Sequence, residues 1–270
     1  MHRQLGLIAL AAAATLPAHA GAQPYPGVTP VPRTTDAGKL RSYASAREAS
    51  ERIKLAFADE SRSDWSAAAI ELERVIALHP SEPQGSTAYY DLGIAQAQLQ
   101  QFDAAVISFD KAIDLDPGFL AARTNLVTVQ LLRGDLAAAR KSADAFVALA
   151  PDSARGLYQR GIVALRTGDA ATALADFERL LGSNPGYALG HYDLAIAEIK
   201  SGQLAEAERE LRTAIGLVPS YARARLALGA VLLRQNRRAE AKTAFDAAAR
   251  VAQDVALREL AGSLRDAIKD

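Results

Sequence analysis

The side chains able to do acid–base or metal chemistry are few. Of four histidines, His2 and His19 lie near the amino terminus, His79 directly precedes a proline, and His191 has Asp193 and Glu198 within two helical turns. A histidine beside carboxylates is the minimum for proton transfer or for part of a metal site. It is also ordinary helix-surface composition, and nothing else in the chain completes a site around it. No His-Glu-x-x-His pair, phosphate-cradling glycine loop or Gly-x-Ser-x-Gly elbow occurs, and Gly229-Ala230-Val231 runs on into leucines. With no cysteine, disulfides, thiolate zinc sites, thiol nucleophiles and cysteine-linked lipid anchors are excluded. The reading is a non-enzymatic protein without catalytic residues, metal site or cofactor.

Composition turns attention from chemistry to architecture. Thirty-one basic residues balance 31 acidic ones, and half of the 270 residues are apolar, which disfavours both a disordered chain and an electrostatic binder of nucleic acid. Alanine supplies 59 residues. As the best intrinsic helix former it points to an all-α chain with close helix contacts.

The prolines count out a repeat. Pro80, Pro117, Pro151, Pro185 and Pro219 are spaced 37, 34, 34 and 34 residues. Ala68, Ala105, Ala139, Ala173, Ala207 and Ala241 repeat the same spacing, so three extra residues lie between the first and second units, around residues 82–85. Fixed self-similarity of this length predicts stacked supersecondary units. In the second, Tyr89, Leu92, Gly93 and Gln96 share one helical face, Gln100-Gln101 breaks it, and Ala105, Phe109 and Ala112 mark a second helix that Asp116-Pro117 ends. The break recurs at Gly134-Asp135, Gly168-Asp169, Gly202-Gln203 and Asn236-Arg237, where glycine or asparagine suits a left-handed helix end. Small residues recur on the first helix at Gly93, Val127, Gly161, Ala195 and Gly229. Four places after each alanine of the second helix comes Leu72, Phe109, Ala143, Phe177, Leu211 or Phe245, expected to fill the gap that the small ones leave.

These residues resemble the tetratricopeptide repeat (TPR) family. Tyr90-Asp91-Leu92-Gly93 followed by Ala105, Phe109, Ala112 and Pro117 matches its 34-residue helix–turn–helix pattern almost throughout. The resemblance implies a right-handed α–α superhelical solenoid of about six units, at 49–82, 86–119, 120–153, 154–187, 188–221 and 222–253. Two departures stand out. Arg160 replaces the leucine found at Leu92, Leu126, Leu194 and Leu228, so the fourth unit is expected to pack loosely or to send the guanidinium outward. The sixth lacks a closing proline and leads into residues 254–270, read as a capping helix with Val255, Leu260, Leu264 and Ile268 inward and Arg258, Glu259, Arg265 and Asp266 in water. Ser45 with Glu48 resembles a capping box opening the first helix, within a six-unit domain taken to span 45–253.

Ahead of the repeats, Arg3, a twelve-residue apolar run at 5–16 and Ala18-His19-Ala20 describe a secretory signal peptide over residues 1–20, cleaved after Ala20 or Ala22. Twelve helical residues rise only about 18 Å against roughly 30 Å of hydrocarbon, so no membrane span is expected. Residues 21–44, with four prolines among residues 23–32, read as an extended linker. Export, with the family resemblance, points to the periplasm of a two-membrane bacterium or to secretion.

In such solenoids the first helices line a concave face that takes extended peptides or partner helices. Carried over, the lining here is Ile53, Phe57, Tyr90, Ile94, Thr124, Thr128, Tyr158, Ile162, Tyr192, Ile196 and Leu226. The tyrosines offer recognition area with a polar tip or else pack against the neighbouring helix. Arg155, Arg166, Lys200, Arg223 and Arg234 lie on the same faces, where earlier units carry Thr87, Gln98, Ala121 and Leu132. Five cations would select an acidic protein or peptide, unless acids such as Glu206 and Glu240 neutralise them. With Ile53 and Phe57 in the first unit, the Lys/Asn constellation of the chaperone-tail-binding members is absent. The expected function is an exported interaction scaffold in envelope assembly. The alternatives are a glycan-handling module using the tyrosines as stacking platforms and a non-catalytic subunit of an exported enzyme complex.

Overall fold

The computed structural model describes residues 64–78 and 84–268. The signal-peptide, linker and capping-box readings, Ile53, Phe57 and His79 all lie outside these residues. The described chain is entirely α-helical and divides after Pro151 into two compact units.

The first unit holds α1 (Trp65–Ala77), α2 (Gln84–Gln98), α3 (Phe102–Leu115), α4 (Leu120–Arg133) and α5 (Leu136–Leu149). The second holds α6 (Ala154–Thr167), α7 (Ala170–Ser183), α8 (Ala188–Lys200), α9 (Leu204–Leu217), α10 (Ala222–Arg234), α11 (Arg238–Val251) and α12 (Val255–Asp266). Within each unit consecutive helices pack against one another, and the pairs α2/α3, α4/α5, α6/α7, α8/α9 and α10/α11 are the expected repeats.

Each pair turns at the expected break. Gly134, Gly168 and Gly202 sit at φ near +80°, and Gln100 and Asn236 adopt the same left-handed conformation without glycine's freedom. The residue after each donates its N–H five residues back, as Asp135 does to Gln130 (2.9 Å) and Asp169 to Ala164 (2.8 Å). Asp135 and Asp169 then cap the next helix, their carboxylates accepting from the N–H groups of Ala138 and Thr172.

The alanine column is completely buried in all six repeats. Opposite it, phenylalanine meets glycine. A methyl group placed on Gly93 would stand 2.7 Å from Phe109, on Gly161 2.7 Å from Phe177, and on Gly229 2.6 Å from Phe245. In the first unit the same packing draws Tyr90, Ile94, Leu126 and Val129 into one cluster, with Trp65 of α1 lying half-buried against it. Trp65 therefore reports on the second repeat as well as the first.

The final helix is amphipathic as expected but rotated. Leu257, Ala261, Leu264 and Ile268 form the buried stripe, while Val255 is 61 % exposed and Leu260 lies at the edge. The reason is where the helix begins. α11 stops at Val251, Ala252 is extended, and Asp254 caps α12 through the N–H of Leu257 (2.9 Å). The inward positions then follow at intervals of four, three and four residues from Leu257, leaving Val255 on the far side.

Glycines at contact and open positions should respond oppositely. Gly161→Ala drives a methyl group into Phe177 and should cost about 1–3 kcal/mol. Gly182→Ala, in α7 with open space around the new methyl, should gain up to about 1 kcal/mol of helix propensity. Urea unfolding followed by circular dichroism checks both; equal effects would show that glycine at 161 is not required by the ring.

Candidate functional site

Each unit carries its own first-helix face. In the first, Tyr90 of α2 packs against Phe109 (ring centroids 6.0 Å apart) and Phe119 (4.7 Å), and its hydroxyl accepts from Asn125 of α4 (3.3 Å). Ile94 and Thr124 are buried, and the hydroxyls of Thr124 and Thr128 donate to carbonyls one turn back. Leu132 is exposed.

In the second unit, Tyr158 of α6 packs against Phe177 (6.1 Å) and edge-on against Tyr187 (5.8 Å), and its hydroxyl donates to Asp193 of α8 (3.0 Å). Tyr192 packs against Tyr221 (5.2 Å), and Ile162, Ile196 and Leu226 are buried. Asn125–Tyr90 and Tyr158–Asp193 each join residues 35 apart, one repeat plus one position. The tyrosine tips therefore tie successive first helices together, which was the packing alternative. Tyr90, Tyr158 and Tyr192 carry further interactions besides.

The cations are placed unequally. Arg155 and Arg166 are exposed, and Arg234 is half-buried. Arg166, Lys200 and Arg234 fall in the last turns of α6, α8 and α10, where a positive charge complements the helix dipole. Lys200 is exposed as a residue, but its ammonium donates to the Leu165 carbonyl at the end of α6 (2.7 Å). Arg223 is only 5 % exposed, and its Nε–H has no hydrogen-bond partner. The expected counter-ions are engaged elsewhere: Glu240 accepts from Arg237, and Glu206 stands 3.8 Å from Arg209.

Two carboxyls on α8 are buried. Burial raises Asp193 to about 7 despite the Tyr158 hydrogen bond and the charge of Arg223. Burial, reinforced by Glu210 and Glu206, raises Glu198 to about 8, and its Oε2 has no partner. His191 meets neither. Its Nδ1 lies 2.6 Å from Glu210 of α9 and its Nε2 2.9 Å from the Pro185 carbonyl, because its face of α8 turns toward α9 and the preceding loop. Among the described residues no group of three histidine or carboxylate side chains could hold a metal ion.

The repeat explains His191. Arg123, Arg225 and Arg258 each donate through Nε and Nη2 to a loop carbonyl six residues back, that of Pro117, Pro219 or Ala252. His191 does the same to Pro185. The signal was present in the sequence as an arginine, or here a histidine, six residues after the loop residue, but it points inward to the fold and not to catalysis.

Arg160 corrects the expectation of loose packing. It forms a two-bonded fork with Asp176 of α7, Nε to Oδ2 and Nη2 to Oδ1, each 2.7 Å, and the Asp176 side chain is almost wholly buried. The lost leucine is replaced by an ion pair within the helix pair.

Asp176→Ala should cost about 3–5 kcal/mol by stranding a cation in the helix interface, while Arg160→Leu with Asp176→Ser, the pair that Leu92 and Ser108 supply in the second repeat, should recover most of it. Urea unfolding of Arg160→Leu, Asp176→Ser and the two together closes a double-mutant cycle that measures the coupling. The raised carboxyls make a second expectation. A carboxyl whose folded value exceeds its unfolded one favours the fold while protonated, so its stabilisation is complete below about pH 4.5 and is lost as pH rises through about 8 for Glu198. Glu198→Gln should therefore raise the melting temperature at pH 8 relative to wild type, and reduce the wild-type decline between pH 5 and pH 8; an unaltered decline would remove Glu198 from its cause.

Solved structures share this arrangement of helix pairs. A tetratricopeptide repeat protein from Parabacteroides merdae superposes with a TM-score of 0.71 at 19 % identity, over 82 % of this chain and 87 % of that one. MamA from Desulfovibrio magneticus gives 0.57 at 18 %, over 62 % and 94 %. A chain of the APC/C hetero-tetramer Cut9–Hcn1 gives 0.63 at 18 %, over 80 % of this chain and 42 % of that one. At these identities the likeness is one of fold. Among curated proteins no match is found. Two tetratricopeptide repeat models match the sequence, one over residues 54–118 and 124–188 and the other over 164–216 and 199–264, together well over half the chain. With the 34-residue period and the glycine–phenylalanine helix pairs, these matches identify the chain as a member of the tetratricopeptide repeat family, a scaffold for protein–protein interaction.

Proposed function

We propose that the protein is an exported, non-catalytic scaffold of the bacterial periplasm that binds an acidic peptide or partner helix on its first-helix faces and serves cell-envelope assembly. The observation that carries the partner's chemistry is the set of cations on α6, α8 and α10, whose expected counter-ions Glu206 and Glu240 are engaged by Arg209 and Arg237. A set of like charges on one face, offset only in part by Asp193 beside Arg223, raises the local concentration of an oppositely charged partner and speeds its encounter. Export rests on the apolar run and the Ala-x-Ala site of residues 1–20. The glycan-handling alternative gains nothing from the fold, since it needed Tyr158 and Tyr192 as stacking platforms and both rings are packed among Phe177, Tyr187 and Tyr221.

Amino-terminal sequencing of the protein from fractionated cells tests the address: a start at Gly21 or Gln23 in the periplasmic fraction is expected, and Met1 on cytoplasmic protein would overturn it. Reversing the exposed Arg155 and Arg166 to Glu should slow association with the partner recovered by cross-linking by about tenfold at low salt and flatten its salt dependence, with the dissociation rate little changed. Unchanged association of the folded variant would move the binding surface away from this face.

A further inference from the structure

We infer that Arg223 anchors a carboxylate of the acidic partner segment on the first-helix face of the 152–268 unit, and that Asp193 is an internal competitor for the same guanidinium. The inference rests on the acidic-partner reading above and adds to it the anchoring residue and the group that regulates it.

The 152–268 unit holds a buried cation with an unmet hydrogen bond. Arg223 is 95 % buried and its Nε–H finds no acceptor. A guanidinium held out of water without its full set of acceptors weakens the fold that contains it. The fold does not require it: the same position in the preceding repeat is Leu189, also buried. A carboxylate suits this cation, because its oxygens can accept from the terminal Nη–H groups while its charge offsets the cost of burying the guanidinium, although Nε itself is closed to solvent. The last-turn cations Arg166, Lys200 and Arg234 add positive potential at the other end of the same three helices.

Asp193 is the group that interferes. It lies within the electrostatic reach of Arg223, and Tyr158 of α6 holds its Oδ2 in place. The other titratable groups gathered with Asp193 and Arg223 are Tyr192 of α8 and Tyr187 and Tyr221 from the turns before α8 and α10. Burial pushes the Tyr221 phenol above its usual range, so it stays neutral in any ordinary buffer. Asp193 is therefore the carboxyl here that changes charge near neutrality, being raised to about 7. Protonated, it leaves the charge of Arg223 to an incoming carboxylate. Ionised, it neutralises that charge from within and repels the ligand. Binding accordingly weakens as pH rises.

The test uses the full chain and a fluorescein-labelled decaglutamate peptide with an amidated end, titrated by anisotropy at pH 6 and pH 8, with decalysine as control. Wild type should bind decaglutamate about three- to tenfold more tightly at pH 6, the effect of one charge at short range in a partly shielded site. Asp193→Asn should bind at both pH values as wild type does at pH 6. Arg223→Leu should lose about tenfold or more at both, while melting at or above the wild-type temperature. A folded Arg223→Leu variant that keeps wild-type affinity overturns the anchor and leaves the acidic-partner reading standing. An undiminished pH effect in Asp193→Asn overturns the competitor. Unfolding of Arg223→Leu shows the guanidinium to be structural and overturns the anchor, and failure of wild type to bind decaglutamate at either pH overturns both the inference and the reading beneath it.

Discussion

The contact between a helical glycine and a phenylalanine ring sixteen residues later sets the spacing of the helix pair, and most of the described structure follows from it. At Gly93, Gly161 and Gly229 the ring lies where a side chain would begin. In the third repeat the sizes are exchanged, with Val127 against Ala143, and in the fifth the difference narrows, with Ala195 against Leu211, all four fully buried. A close-packed interior tolerates neither a void nor an extra methylene, so the two positions share one volume and can divide it in more than one way. The buried alanine column then lets the two helices approach along their length, and the left-handed residue between them returns the chain at the required angle.

Polar groups are used to join one pair to the next. Asn125 to Tyr90 and Tyr158 to Asp193 each reach across one repeat, and Lys200 reaches the same distance to the Leu165 carbonyl. The arginine clamps on Pro117, Pro219 and Ala252 fix the loops, with His191 doing so at Pro185. Groups that resemble a reactive centre when read along the sequence are thus largely occupied in holding repeats in register. Three buried atoms among the described residues stay unmatched: Gln130 Oε1 in the first unit, and Glu198 Oε2 and Arg223 Nε in the second. Unsatisfied buried groups weaken a fold, and of these three only Arg223 is a cation, the type of group that an acidic partner could compensate.

The fold was legible in the sequence because its determinants are local and repeated six times. Five closing prolines, five left-handed breaks and six alanine-column positions each act within about thirty residues, so copies in register leave little freedom for another architecture. Even the details that were missed had a local signature: the loop clamp is an arginine or histidine six residues after the loop residue, and the Arg160–Asp176 pair is one substitution at each of two known columns.

What the sequence could not determine is which side chains are spent on the fold and which remain for a partner. Tyr158 and Tyr192 looked alike, as did Arg155 and Arg223, because a column specifies a position on a helix and not its distance from the next one. Only with α6, α8 and α10 side by side does one tyrosine find Asp193 and the other Tyr221, and does one arginine remain in water while the other is buried. The sequence determined the helices, their pairing and the positions that face a neighbour, since these depend on period and residue size. Tertiary structure decided burial, ionisation and hydrogen-bond satisfaction, because these depend on what the next repeat places within a few ångströms.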